Sequence, residues 1–153
     1  MNHAYIYQST IGPIHIKTDE HSILSVLLTN EICNDNHDKT PLIEECINQL
    51  EGYFNGKRKH FDLPLNPIGT EFQQKVWQAL QQIPYGETRS YKEVAHMVGN
   101  VKASRAIGMA NNKNPLHIIV PCHRVVGSDG TLVGYAGGLD KKRWLLEHEN
   151  KHR

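Results

Sequence analysis

The sequence predicts two small domains, an α/β domain over residues 1–66 and a helix-turn-helix domain over residues 67–153. Short runs that alternate apolar and polar residues dominate the first 30 residues, as in β-strands. Two capping boxes, each followed by apolar residues at helical spacing, lie beyond residue 69. Residues 55–69 combine a charge run with prolines, which is typical of a linker, so we place the domain boundary near residue 66.

The composition is that of an ordinary globular protein, with 39% hydrophobic and 22% charged residues in a chain of 153. The sequence has neither an apolar run of about 18 residues nor a secretory signal, so we expect no contact with a membrane. The sequence has three cysteines, Cys33, Cys46 and Cys122. A small, odd number of cysteines argues against a disulfide framework. They favour a reducing compartment, and we expect a cytoplasmic protein.

The net charge of +1 hides an asymmetry between the two halves. Residues 1–66 carry five Lys and Arg against nine Asp and Glu, a net charge of −4, whereas residues 67–153 carry twelve against seven, a net charge of +5. This pattern weakly favours a polyanion as the partner of the C-terminal domain.

The N-terminal domain should contain three strands and one helix. The strands are predicted at residues 4–9, 14–18 and 23–28, with Gly12-Pro13 as the first turn. Thr40 is a good N-cap with Pro41 after it, and Gly52 or Gly56 should end this helix. Its apolar stripe comprises Leu42, Ile43, Cys46, Ile47 and Leu50.

Residues 29–39 should form an exposed connection that contains Cys33 and His37. This pair has the spacing of half a zinc site, but such a site needs four ligands and no second pair is evident. We therefore predict no metal site.

The C-terminal domain should begin with three helices. Thr70 with Gln73 and Ser90 with Glu93 form the two capping boxes, and the second helix should end at Gly99. A third helix is predicted over residues 102–112. Two short helices with a glycine turn between them indicate a helix-turn-helix, although an ordinary helical hairpin is common. The third helix mixes small residues with Arg105, which would let its backbone approach a DNA groove.

The segment after these helices carries the most reactive side chain. Ile118 to Val120 should form a short buried strand that Pro121 ends, leaving Cys122 just past the strand. His123 and Arg124 could favour a thiolate at Cys122. The alternative is a cysteine that only fills the core.

The remaining elements should be a hairpin and a final helix. The sequence Ser128-Asp129-Gly130 predicts a tight turn between two β runs over residues 126–132. A hairpin after a helix-turn-helix is the wing of a winged-helix module. Residues 135–138 should form a flexible loop, and Asp140 should cap a helix over residues 141–149 that buries Trp144, Leu145 and Leu146.

The stretch Pro121 to Val125, Pro-Cys-His-Arg-Val, resembles the active-site signature of the O6-alkylguanine-DNA alkyltransferases, also called methylated-DNA–protein-cysteine methyltransferases. The resemblance extends over most of residues 70–149. Its other matching pieces are Tyr91, Arg105 to Gly108, Asn114-Pro115, Tyr135 with Gly137-Gly138, and Leu145 to Glu149. It implies a ribonuclease-H-like α/β domain followed by a winged-helix domain.

The resemblance also implies a partner and a reaction. The partner is double-stranded DNA that contains O6-alkylguanine, and whether O4-alkylthymine is accepted as well stays open. The damaged nucleotide is flipped out of the helix. Cys122 takes the alkyl group, His123 acts as its base through a water, and Glu149 orients His123. Glu147 is the competing carboxylate, but the His148-Glu149 pattern favours Glu149.

Further residues follow from the resemblance. Arg105 would fill the space left by the flipped base, on a surface formed with Lys102, Ala106 and Gly108; a phosphate contact is the simpler role for Arg105. The base pocket would consist of Tyr91, Val125, Tyr135, Ala136, Gly137 and Asn114. Tyr91 would protonate the leaving base or merely pack in the core. Asn114 would brace the turn before the active site or only occupy it.

The product would be a thioether, which is a poor leaving group, so we expect one transfer per molecule. No cofactor motif is present, and we expect a monomer that needs no cofactor. Three other classes remain. One is a lesion-binding protein without chemistry, which would lack a use for Cys122. Another is a cysteine hydrolase, which would lack a use for the helix-turn-helix. A transcription-linked methyl sensor would need a further domain.

Overall fold

The computed structural model describes residues 2–30 and 39–153. An antiparallel three-stranded sheet opens the chain: β1 (His3–Ser9), β2 (Gly12–Thr18) and β3 (Ile23–Leu28), in that order. All three predicted strands are confirmed, but the first turn lies at residues 10–11, because Gly12 and Pro13 already pair with Ser9 and Gln8. Cys33 and His37 lie outside the described residues.

Helix α1 (Pro41–Phe54) packs on this sheet, and its predicted ends are confirmed. The Thr40 hydroxyl accepts a hydrogen bond from the Ile43 amide, as an N-cap does. Gly56 follows the C-cap with a φ of +80°, a conformation that favours glycine. Buried residues of α1, among them Ile43, Cys46 and Leu50, join the core formed by the sheet.

The C-terminal half contains α2 (Glu71–Leu80), α3 (Tyr91–Met97), α4 (Ser104–Asn112) and α5 (Leu139–Lys151). Both predicted capping boxes form, at Thr70 with Gln73 and at Ser90 with Glu93. Helix α4 begins at Ser104 rather than at Lys102, so Lys102 lies in the turn between α3 and α4.

Two predictions about the end of the chain are wrong. Residues 127–131 do form a turn, with the Gly127 amide bonded to the Thr131 carbonyl at 2.9 Å. The second β run is absent from the described residues, however, and the two-residue β5 (Val125–Val126) pairs instead in parallel with β4 (Arg89–Ser90). Asp140 does not cap α5: it lies within the first turn, and Gly138 holds the N-cap position.

The largest correction concerns Ile118 to Val120, which form a turn rather than a strand. Leu116 pairs in parallel with Val26 at the edge of β3 instead. The Val26 amide donates to the Pro115 carbonyl at 2.8 Å, and the His117 amide donates to the Val26 carbonyl at 2.8 Å. The chain then turns sharply, with Ile118 at a φ of +73°. Burial of the three apolar side chains, at 7% exposure or less, outweighs their β propensity.

A second segment covers the same edge of β3, because the Ile23 amide donates to Pro64 and the Asn66 amide donates to Ile23. The predicted linker is therefore fixed against the sheet at this point. Within the described ranges, no helix has the length and apolar character needed to span a membrane.

Candidate active site

Glu149 lies at the centre of a buried hydrogen-bond network. His123 Nε2 donates to Glu149 Oε2 at 2.7 Å, and Arg124 donates to both carboxylate oxygens, from Nε at 2.8 Å and from Nη2 at 3.0 Å. The Tyr53 hydroxyl donates to Oε2 at 2.7 Å, and the Gly86 amide donates to Oε1 at 3.3 Å. The carboxylate is thus held by α1, by the loop after α2, and by the segment that follows Cys122.

This network determines which nitrogen of His123 can act as a base. Since a carboxylate only accepts hydrogen bonds, Nε2 must carry the proton, and neutral His123 then has its lone pair on Nδ1. His123 Nδ1 is buried and has no hydrogen-bond partner among the described residues. His123 therefore has one nitrogen fixed by Glu149 and the other available to take a proton.

The charges in the network shift two pKa values. Burial would raise the pKa of Glu149, but His123 and Arg124 outweigh it and hold the pKa well below its usual range. Burial lowers the pKa of His123, and the contact with Glu149 opposes this effect. His123 is therefore neutral at physiological pH in the resting protein.

Cys122 is 2% exposed and begins a 3-10 turn, Cys122–Arg124. Burial raises the pKa of its thiol to about 11, although Asn114 and Lys142 act in the opposite direction. The prediction that His123 and Arg124 favour a thiolate is wrong for the resting protein, because both side chains are directed to Glu149. The thiol is therefore protonated in the resting protein.

Asn114 fixes the turn that leads to Cys122. Its side-chain amide donates to the carbonyls of Val120 at 2.8 Å and Leu116 at 3.2 Å, and its Oδ1 accepts from the Leu116 amide at 2.9 Å. The side chain is 2% exposed, so these bonds replace lost contacts with water. Asn114 braces the backbone on which Cys122 is placed.

We expect Asn114→Asp to destabilise the protein by about 2–5 kcal/mol, because two buried carbonyls lose their donors and a charge is buried. Urea unfolding measures this change. Asn112→Asp is the matched control, since Asn112 is exposed two residues away and the same charge should there cost about 0.5 kcal/mol or less. Equal stability of the two variants would contradict the bracing role.

Two tyrosines lie near the thiol. Burial and the interaction with Cys122 raise the pKa of both Tyr91 and Tyr135. The Tyr91 hydroxyl donates to the Val133 carbonyl at 3.0 Å, and Lys142 Nζ donates to the same oxygen at 2.9 Å. Val125 is buried in β5, where it pairs with Arg89.

The loop after Tyr135 contains the last two predicted pocket residues. Ala136 is exposed in a turn. A Cβ on Gly137 would lie 2.9 Å from Leu28 Cδ1 and 3.0 Å from Tyr135 Cε2, so this position has room only for glycine. The predicted pocket residues thus lie in α3, in the turn before Cys122, in β5 and in the loop before α5, and their roles stay predictions.

Of the four predicted DNA-binding residues, three are exposed on α4 and the turn before it, and Gly108 is half-buried. Arg105 and Ala106 are exposed, Lys102 is exposed in the turn, and Gly108 packs beside the Tyr91 ring, where an added Cβ would lie 3.7 Å from Cε1. The face of α4 that carries Ile107 and Ala110 is buried. Arg105 therefore lies on an outward face of the same helix whose Gly108 lies beside the Tyr91 ring.

Comparison with known proteins identifies the family. The model of the 6-O-methylguanine DNA methyltransferase DNA-binding domain matches residues 71–151, and that of the ribonuclease-like domain of the same family matches residues 3–67. The chain belongs to the 6-O-methylguanine DNA methyltransferase family. The ribonuclease-like α/β domain and the DNA-binding domain confirm the predicted fold class.

Relatives in this methyltransferase family match along almost the whole chain. A methylated-DNA–protein-cysteine methyltransferase of Methanosarcina acetivorans is 50% identical, with 94% of this chain and 96% of the relative covered. A constitutive enzyme of the same name from Bacillus subtilis is 46% identical, with 97% and 96% covered. The crystal structure of Mycobacterium tuberculosis OGT in complex with DNA has a TM-score of 0.88 and 43% identity, with 98% of this chain and 94% of that chain covered.

Three further polar residues near this site were not assigned to it by sequence reasoning. Tyr53 donates to Glu149 from the other domain, and Lys142 is fully buried with its pKa lowered to about 8 by burial. His117 accepts a hydrogen bond on Nδ1 from the Leu28 amide at 3.1 Å, and burial lowers its pKa to about 4. Only His117 gave a signal in the sequence, as a polar residue within an apolar run.

Proposed function

We propose that this protein repairs DNA by transferring the alkyl group of an O6-alkylguanine to its own Cys122, one group per molecule. The observation that carries the proposal is the position of His123: Glu149 holds one ring nitrogen, and the other is a free acceptor on the residue next to a buried thiol. The family membership supplies the substrate class, methylated DNA.

The reaction begins with removal of the thiol proton. His123 Nδ1 takes the proton of Cys122 through a bridging water, and Glu149 stabilises the resulting imidazolium. The thiolate sulfur then attacks the alkyl carbon. A carbon–sulfur bond forms as the bond between that carbon and O6 breaks, and the electron pair leaves with the guanine.

The departing guanine must gain a proton to become the neutral base. We assign this step to Tyr91, which lies close enough to Cys122 for the two groups to interact electrostatically and whose hydroxyl would leave the Val133 carbonyl to reach the base. The proton taken by His123 returns to Tyr91 at the end, so the net change moves the thiol proton to guanine. The thioether on Cys122 is a poor leaving group, so the alkyl group stays on the protein and the reaction does not reverse.

Extrusion of the nucleotide is the task we assign to Arg105. The exposed α4 surface approaches the minor groove, Arg105 enters the space that the base leaves, and Lys102 contacts phosphate. We propose that the protein acts as a monomer without a cofactor. We also propose a cytoplasmic location, because the free thiols of Cys46 and Cys122 suit a reducing compartment.

We expect Arg105→Ala to slow transfer from an O6-methylguanine duplex by roughly 100-fold, since unstacking costs a few kcal/mol. Transfer from free O6-methylguanine base should keep its wild-type rate, because no nucleotide has to be extruded. Single-turnover assays with both substrates make this comparison.

Lys102→Ala is the comparison variant for Arg105→Ala. It should weaken binding equally to damaged and undamaged duplex and reduce the slope of log affinity against log salt by about 1. An Arg105→Ala variant that lost activity equally on duplex and on free base would contradict the extrusion role.

A further inference from the structure

Tyr53 belongs to the N-terminal domain, yet its hydroxyl lies in the centre of the candidate active site. It donates to Glu149 Oε2 at 2.7 Å, the same oxygen that His123 Nε2 contacts at 2.7 Å. Tyr53 and Glu149 are 96 residues apart in the sequence, and both are fully buried. A side chain from α1 therefore touches the carboxylate that orients the base.

The position of the Tyr53 hydroxyl is fixed from several sides. The Tyr53 carbonyl accepts a hydrogen bond from His148 Nε2 at 2.6 Å, and His148 precedes Glu149 in α5. The Tyr53 ring also contacts His148, with 5.3 Å between centroids, and Phe61, with 5.8 Å. Tyr53 thus joins α1 to α5 by two hydrogen bonds: its hydroxyl donates to Glu149, and its carbonyl accepts from His148.

Packing explains the ring of Tyr53 but not its hydroxyl. A phenylalanine would fill the same space, whereas a buried hydroxyl costs free energy unless it finds a partner. Nearby Tyr85 provides the contrast. Its hydroxyl is also buried, but it has no hydrogen-bond partner among the described residues. Its ring lies against the Arg124 guanidinium, with 5.6 Å between Arg124 Cζ and the ring centroid.

We propose that Tyr53 is a positioning residue for alkyl transfer: its hydroxyl fixes Glu149 Oε2 so that the carboxylate holds His123 with Nδ1 available to the Cys122 thiol. This inference rests on the proposed function and extends it, because it makes the N-terminal domain a direct contributor to the reaction. The hydroxyl acts through Glu149 and does not touch the substrate.

Loss of the hydroxyl should also change the pH dependence of the rate. One donor fewer leaves more negative charge on Oε2, which raises the pKa of His123. Since the base must be neutral, the rising limb of the pH–rate profile moves to higher pH. The other titratable or charged groups that face His123 or Glu149 are Arg124, Lys142, His117, Tyr85 and Tyr135. All of them are retained in Tyr53→Phe. Tyr85 makes no hydrogen bond to Glu149, and its raised pKa keeps it uncharged at the pH of the rising limb, so its hydroxyl should not affect the carboxylate.

The test compares Tyr53→Phe, Tyr85→Phe and wild type in single-turnover transfer from an O6-methylguanine duplex at saturating protein, from about pH 4.5 to about pH 9. The range begins about two pH units below the ordinary histidine pKa of about 6.5, because burial lowers the pKa of His123. Tyr53→Phe should slow transfer roughly 10- to 100-fold, the usual effect of losing a hydrogen bond to a charged group. The rising limb of the pH–rate profile of Tyr53→Phe should move to higher pH, and the affinity of this variant for the duplex should stay unchanged. Tyr85→Phe should match wild type in its transfer rate, in the pH of its rising limb and in its affinity for the duplex.

A wild-type rate and an unshifted limb for Tyr53→Phe would overturn the positioning role while leaving the proposed function intact. An equal loss in Tyr85→Phe would also overturn it, because that variant removes a buried hydroxyl without a hydrogen bond to Glu149. Failure of the wild-type protein to gain a methyl group would instead overturn the proposed function, and this inference with it. Urea unfolding of both variants verifies that the rates come from folded protein.

Discussion

Replacing Cys122 by serine should abolish methyl transfer from an O6-methylguanine duplex. A serine hydroxyl is far less acidic than a thiol and a weaker nucleophile, and His123 is already a weakened base because burial lowers its pKa. The intact mass of the wild-type protein should rise by one methyl group per molecule after incubation with the duplex, whereas that of Cys122→Ser should not change.

Cys46→Ala is the matched control for this experiment. Cys46 belongs to the hydrophobic core on α1, whereas Cys122 is followed directly by the base His123, so Cys46 should take no part in the reaction. The control should gain one methyl group as the wild type does. A methyl gain in Cys122→Ser would identify another acceptor, and tight lesion binding without any gain in the wild type would indicate a protein that only recognises the lesion.

Glu149→Gln should reduce both stability and activity, and we expect the second largest effect from it. A neutral amide leaves the buried Arg124 guanidinium without its counter-charge, which costs about 3–5 kcal/mol. The imidazolium of His123 also loses its stabilising partner, so transfer should slow by at least roughly 100-fold. Urea unfolding and single-turnover transfer measure the two effects separately.

The pH dependence of stability provides a specific signature for Glu149. Its pKa in the folded protein lies well below the unfolded value of about 4.3, so the folded state binds fewer protons there. The resulting stabilisation is fully present above that unfolded value and is lost as the pH falls toward the folded pKa. Glu149→Gln should lose less stability than wild type between about pH 5 and pH 3, whereas Glu147→Gln, at an exposed position, should retain the wild-type slope.

Local rules predicted the elements whose signals are contained in a few residues. The capping boxes at Ser90 and Thr70 and the N-cap at Thr40 form as expected, because each depends on a side chain and an amide three residues away. The resemblance carried by Pro121 to Val125 located the candidate nucleophile and its base without any structure.

Predictions failed where distant segments decide the local conformation. Ile118 to Val120 have the composition of a strand, but the pairing of Leu116 with Val26 and the bonds of Asn114 make them a turn. The contact of Tyr53 with Glu149 spans 96 residues and involves no repeating pattern. Asp140 fails as a cap because Gly138, at a φ of +102°, already turns the chain into the helix.

The covering of the β3 edge has a consequence for the protein during its synthesis. The amide of Val26 finds its partner in Pro115, so this part of the edge stays unpaired while the ribosome adds some 90 residues. An exposed strand edge can pair with other chains. A fragment that stops before residue 115 should therefore aggregate more readily than the full chain, because the edge is fully covered only once the segment that leads to Cys122 has docked.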